Sequence, residues 1–233
     1  MSVYRYDNAP VLNRIVQEAK NNRWDVSLWA LDQAHPSLAR YSVGAGRSPK
    51  FPLLNRLIRE KDLSQFDWVV VTDDDVAFDT GSLAAFLWTA EKAGLALAQP
   101  AHASGSFSNH EITLWKPHTM ARLTTFVEIG PLFAIRRDYF GKLLPFPERS
   151  GMGWGLDVEW SDLQSSGARL GIVDWVTLRH LRPAATNYDT TQEEKHLREA
   201  LQVRGHEYVS QFHRTIATWH EWESRPSWLR PSK

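Results

Sequence analysis

The chain predicts a single-domain α/β fold with a mostly parallel, mixed sheet flanked by helices. Three observations carry that reading. Strand-length apolar runs alternate with amphipathic helical patterns through the first hundred residues, in a β-α-β-α-β order. The run Trp68-Val69-Val70-Val71-Thr72 is β-branched and continuously apolar, as a strand covered on both faces must be. The length of 233 residues is ample for one such core.

The elements follow in order. Val3 to Tyr6 is a short strand. Asn8 caps a helix through Lys20, with Pro10 in its first turn and Val11, Leu12, Ile15, Val16 and Ala19 at helical spacing. Asp25 to Leu31 is the next strand, followed by a loop over 42–50. Pro52 to Glu60 is helical, and Asp67 to Thr72 is the apolar strand. Thr80-Gly81-Ser82 opens a helix through Lys92 that Gly94 ends. Leu95 to Gln99 is a further strand.

The second half is less regular. Strands are expected at Glu111–Trp115, Thr125–Glu128 and Leu132–Ile135. A glycine-rich loop, Gly151 to Gly155, leads into a helix from Leu156 to Ser165. Leu170 to Leu178 is a strand ending at His180, and Glu193 to Val203 is a helix. The reading is a single domain over 1–203. A C-terminal helix and tail follow over 204–233. His206, His213 and His220 recur every seven residues there, as a polar stripe on that helix.

Composition narrows the function. Basic and acidic residues both number 27, so no broad basic surface for nucleic acid is indicated. Cysteine is absent, which excludes disulfides, thiolate metal sites and cysteine nucleophiles. The N-terminus has no apolar signal core and no segment is long and apolar enough to span a bilayer, so a cytoplasmic protein is expected. The sequence specifies no oligomeric state. Of eleven tryptophans, Trp29, Trp68, Trp88 and Trp175 fall in apolar runs and belong to the expected core. Trp115 and Trp154 sit among polar and glycine residues, where an aromatic face can stack on a sugar ring.

The chemistry concentrates at the end of the Trp68–Thr72 strand, where Asp73, Asp74 and Asp75 follow one another. Adjacent carboxylates repel, and burial sharpens the conflict; a divalent cation resolves it. Alternation along an extended chain puts Asp73 and Asp75 on one side and Asp74 on the other. The plain alternative is a solvated acidic turn. In Gly151-Met152-Gly153-Trp154-Gly155-Leu156-Asp157-Val158-Glu159, glycines permit close ligand approach and Asp157 can act as a general base. Helix capping is the alternative. His180, at a strand end, can complete a metal site begun by carboxylates, and a mixed nitrogen and oxygen set suits Mn²⁺; a structural histidine is the alternative. Lys50 and Asn55, with Arg47 upstream, can reach a nucleotide phosphate or base; otherwise they form a basic loop before a helix.

Taken in order, Lys50-x-x-x-x-Asn55, the strand with Asp73-Asp74-Asp75, Gly153-Trp154-Gly155-Leu156-Asp157 and His180 resemble the GT-A class of nucleotide-sugar glycosyltransferases. The resemblance runs from Val3 to about Arg182 and implies a nucleotide-binding half over about 1–100 and an acceptor half over about 101–203. It implies a GT-A-like, Rossmann-type sheet and transfer of a sugar from a nucleotide-diphosphate donor to an acceptor hydroxyl, with inversion. It implies Mn²⁺ or Mg²⁺ held by Asp73, Asp75 and His180, with Asp73 at the ribose or the metal. Arg47, Lys50, Asn55, Asp74 and Arg182 would lie at the nucleotide, Arg182 on the diphosphate. Asp157 would be the base, with Glu159 its rival because Leu156-Asp157 stands where the family has a Glu-Asp pair. Trp115, Trp154 and Glu159 would face the acceptor. Val127 to Phe133 would be the central strand passing under the sugar. Two rivals stand beside this reading. One is a haloacid-dehalogenase-like phosphohydrolase, which also places Asp-x-Asp after an apolar strand. The other is a non-catalytic sugar- or nucleotide-binding protein on the same fold.

Overall fold

A computed structural model describes residues 1–149, 151–183, 185 and 188–229. Strands and helices follow in the order β1 (Ser2–Tyr4), α1 (Ala9–Asn21), β2 (Leu28–Ala30), β3 (Ser42–Ala45), α2 (Lys50–Arg59), β4 (Trp68–Thr72), β5 (Val76–Thr80), α3 (Leu83–Lys92) and β6 (Leu97–His102). The second half adds β7 (Thr119–Thr124), β8 (Leu132–Arg136), α4 (Phe140–Leu143), α5 (Leu156–Trp160), β9 (Leu170–His180), α6 (Thr191–Val203) and β10 (Thr215–His220).

Strands β1, β2 and β3 pair in parallel. The larger sheet has the order β10-β7-β9-β6-β8-β4, with β5 laid antiparallel on β9. Two backbone bonds join the two sheets: the Met1 amine donates to Val70 O at 2.7 Å and Thr72 N donates to Met1 O at 3.1 Å. That staggered pattern is a parallel one. Strands β1 to β4, β6, β9 and β10 therefore share one direction, while β5, β7 and β8 oppose them.

Alternation distributes side chains to two apolar layers. Val69 and Val71 of β4 and Phe133 and Ile135 of β8 pack with Phe51, Leu54, Leu57 and Ile58 of α2. Leu132 and Ala134 of β8 face the opposite layer, with Phe86 and Ala90 of α3, Ile15 of α1 and Val173 and Val176 of β9. Covering on both faces explains the unbroken apolar run in β4. Ser82 caps α3 by accepting from Ala85 N at 3.1 Å. Glu18 of α1 accepts from Leu83 N and Ala84 N, tying the two helices together.

Several expectations are corrected. No strand forms over 111–115 or 125–128; the sheet takes 119–124, lying between them, as β7. Thr113 Oγ1 bonds His110 O at 2.7 Å and Thr124 Oγ1 bonds Phe126 O at 2.7 Å, local closures that bend the chain away from a ladder. The Val127–Phe133 segment is accordingly a loop until β8 begins at Leu132. Part of the expected 42–50 loop is strand β3, and β5 was not foreseen. The segment after Val203 is not a helix: Gly205 at φ +70° stops α6, a 3-10 turn spans Val209–Phe212, and β10 joins the sheet beside β7. Residues 230–233 of the expected tail lie outside the described residues. Trp88 and Trp175 are half exposed rather than core.

Candidate active site

The carboxyl ends of β4 and β9 open into a cavity of about 1000 Å³ whose walls include Asp73, Asp75, Glu128, Trp154, Asp157 and His180. This is the position where open α/β sheets bind ligands. Strand β4 delivers the three aspartates, and they diverge as alternation requires. Asp73 N donates to Pro131 O at 2.7 Å, and its Oδ1 sits 2.5 Å from Lys50 Nζ, at the start of α2. Gly130 allows this approach: a Cβ there would stand 3.0 Å from Asp73 Oδ2. Asp74 turns toward the N-terminal segment and accepts from Arg5 N at 2.6 Å. Burial pushes its pKa up against that hydrogen bond.

The β5–β9 register pairs Val76 with His180 and so sets the imidazole beside Asp75. His180 Nε2 lies 3.2 Å from Asp75 Oδ1. Burial works against ionisation of both groups, yet their hydrogen bond and mutual attraction prevail. The Asp75 pKa falls and the His180 pKa rises.

The glycine loop builds the opposite wall. Gly153 adopts φ +93°, and a Cβ there would overlap the Phe51 ring. Phe51 N donates to Gly151 O at 2.9 Å. Glu193 of α6 accepts from Met152 N at 3.0 Å and from Trp154 N at 3.3 Å. Trp154 Nε1 donates to Tyr188 Oη at 3.1 Å, and both side chains line the cavity. Asp157, in the first turn of α5, is only 5% exposed. Burial, reinforced by the charge of Glu128, pushes its pKa up to about 7. A carboxyl group poised there can take a proton near neutral pH.

Sequence reasoning missed the polar cluster between these walls. Glu128 lies in the loop before β8, with His102 Nε2 at 3.4 Å and His110 Nε2 at 3.9 Å. His213 packs edge-on against His110 and Phe126. Burial and the neighbouring His110 lower the His213 pKa to about 4. The heptad of histidines was visible, but its helical interpretation hid this packing.

Arg47, Lys50, Asp74 and Arg182 border the cavity as well. Three other expected residues do not. Asn55 is fully buried, and its amide both donates to Phe146 O and accepts from Phe146 N at 2.8 Å, so it braces a loop rather than facing a ligand. Glu159 is ion-paired with Arg149. Trp115 is 47% exposed and lies outside the cavity wall.

The expected metal set is narrower than three side chains. Among the described residues no group of three His, Asp or Glu side chains is placed to hold an ion. Asp73 is engaged by Lys50 instead. Asp75 and His180 do fit a metal: bonds of about 2.1 Å at right angles separate two ligand atoms by about 3.0 Å, close to the 3.2 Å found. Two protein ligands suffice where phosphate oxygens and water complete the shell.

No family model matches the chain, and no curated protein matches it by sequence. Among solved structures, the crystal structure of GalNAc-T7 with UDP, GalNAc and Mn²⁺ is similar, with a TM-score of 0.59 at 13% identity. The match covers 87% of this chain and 47% of that one, so the chain spans about half the length of that relative. At this identity the likeness shows the fold, a GT-A-like mixed α/β sheet flanked by helices. No helix among the described residues is long and apolar enough to cross a membrane.

Proposed function

We propose that the chain is a metal-dependent glycosyltransferase that moves a sugar from a nucleotide-diphosphate donor to an acceptor hydroxyl. One observation carries the reading. In a GT-A-like fold, the Asp75–His180 pair and a buried Asp157 held near neutral pKa line one cavity. The similar structure was solved with UDP, GalNAc and Mn²⁺, which supports a nucleotide sugar and a divalent cation here.

Asp75 and His180 would hold Mn²⁺ or Mg²⁺. When bound, the cation supplies charge neutralisation at the diphosphate. Arg47 and Arg182, which line the cavity, would flank the diphosphate, and Asp73, held by Lys50, would face the nucleotide. Asp157 accepts the proton of the acceptor hydroxyl as its oxygen bonds to the anomeric carbon. The bond from that carbon to the diphosphate oxygen breaks, and the diphosphate keeps the electron pair. Attack from the face opposite the leaving group inverts the centre. Trp154 and Tyr188 wall the acceptor side and keep water from competing.

The phosphohydrolase alternative gives no role to Asp157 or to the glycine loop. The non-catalytic alternative gives none to a buried carboxyl held near neutrality. The test is a thermal-shift series with UDP and GDP, each with and without Mn²⁺, followed by donor hydrolysis and transfer assays. A shift that needs metal and nucleotide together is expected. No shift with any nucleotide rejects the reading.

A further inference from the structure

The cavity contains a carboxylate that the proposed chemistry leaves without a task. Glu128 is 8% exposed, yet it lines the cavity. Its Oε2 is shut away from the cavity and faces His102 Nε2 at 3.4 Å, while Oε1, 3.9 Å from His110 Nε2, makes no hydrogen bond among the described residues. A buried carboxylate oxygen without a donor is costly unless something supplies one. Its described neighbours are imidazoles rather than guanidinium or ammonium groups. His102 is held from behind by Ser106 Oγ at 2.9 Å.

The position of Glu128 indicates what the missing donor is. It lines the same cavity as Asp157, the proposed base, and His180, at the diphosphate end, and its charge acts on both. The chain then runs along the cavity floor: Ile129 O faces Lys50 Nζ at 3.5 Å, and Gly130 abuts Asp73. In the proposed reaction the transferred sugar must lie in this cavity, between the base and the diphosphate. Sugar hydroxyls are donors of the right kind, and a sugar carboxylate would be repelled there.

We propose that Glu128 reads hydroxyls of the transferred sugar, and that the subsite accepts neutral sugars and rejects uronic acids. This rests on the glycosyltransferase reading and adds the chemical class of the donor. The step is recognition only; no bond to Glu128 forms or breaks.

The experiment compares binding of UDP, UDP-glucose and UDP-glucuronate, and in parallel GDP, GDP-mannose and GDP-mannuronate, with Mn²⁺ present. Wild type and Glu128→Gln are titrated by tryptophan fluorescence, with thermal melts to verify folding. In wild type the neutral conjugate of the binding nucleotide is expected to bind about tenfold or more tightly than its uronate. Glu128→Gln should shrink that ratio to near unity and leave the bare nucleoside diphosphate unchanged. A wild type that binds the uronate equally well or better overturns the proposal, even if the variant does not fold. A ratio unchanged in Glu128→Gln also overturns it, with the transferase reading intact. Failure of both nucleoside diphosphates to bind rejects the transferase reading and this inference together.

Discussion

Asp75 Oδ1 and His180 Nε2 stand 3.2 Å apart because β5, immediately after the aspartates, pairs with the end of β9. That long-range pairing sets one residue of the acidic cluster beside a distant histidine. Asp75→Asn and His180→Ala should each weaken Mn²⁺-dependent nucleotide binding by at least about tenfold. Asp74→Asn, whose carboxylate is spent on Arg5 N, should leave it within about twofold. Isothermal titration of Mn²⁺ in the presence of UDP or GDP separates the three. Equal losses in all of them would contradict the geometry.

Asp157 carries opposite consequences for activity and stability. Its pKa rises from about 4 in the unfolded chain to about 7 in the fold, so the folded protein holds a proton that the unfolded chain has released. Stability therefore falls as pH rises through that window, and the full cost is present above pH 7. Asp157→Asn should raise the Tm at pH 8 by up to about 10 °C, from up to about 4 kcal/mol of relieved burial, and leave it unchanged near pH 4. The same variant should lower transfer about 10²–10⁴-fold and abolish the rise in rate through pH 7. Differential scanning fluorimetry and a pH–rate profile check both halves. A variant destabilised at pH 8 would show that the carboxyl is structural.

The parts of the site legible in the sequence are those built by one contiguous segment. A β-branched run followed by three acids marks both β4 and its terminus, and three glycines before Asp157 mark the loop. Ser82 and Gly94 bracket α3 because caps are local chemistry. What stayed hidden depends on long-range pairing. Strand β7 carries Arg122 at a buried position, which breaks the apolar pattern of a strand. Glu128 lies beside His102 and His110, and His213 packs on His110, from four separate segments with no spacing to announce the cluster. Asn55 shows the converse, a family-like position whose amide is spent on Phe146.

The Arg122–Asp174 pair is the clearest structural test. Arg122 Nε and Nη2 donate to Asp174 at 2.8 and 3.0 Å. Nη1 donates to Ile112 O and Nη2 also to Leu114 O, so the guanidinium pins the loop that follows His110. Arg122→Met should cost about 3–5 kcal/mol, because Asp174 would stay buried without its partner. Arg122→Met combined with Asp174→Leu should recover part of that loss. Urea unfolding of the two variants measures the difference; a double variant less stable than the single one would refute the account.

Gly153 and Gly167 separate backbone strain from steric exclusion. Both have positive φ, +93° and +80°, so an alanine at either position meets a conformation that L residues adopt at a cost of about 1–3 kcal/mol. Around Gly167 a Cβ meets nothing within 4 Å, and that strain is the whole penalty. At Gly153 the Cβ collides with Phe51, which is fully buried and packs edge-on against Phe146 at 4.9 Å. The ring cannot yield without disturbing the core, which adds about 1–3 kcal/mol of overpacking. Gly153→Ala should therefore lower the Tm by about 2–4 °C more than Gly167→Ala for each added kcal/mol. It should also displace Trp154 and the α5 turn that carries Asp157, lowering transfer while Gly167→Ala leaves it intact. Paired melts and rate measurements decide the matter. Equal behaviour of the two alanines would mean that the loop is not pressed against Phe51.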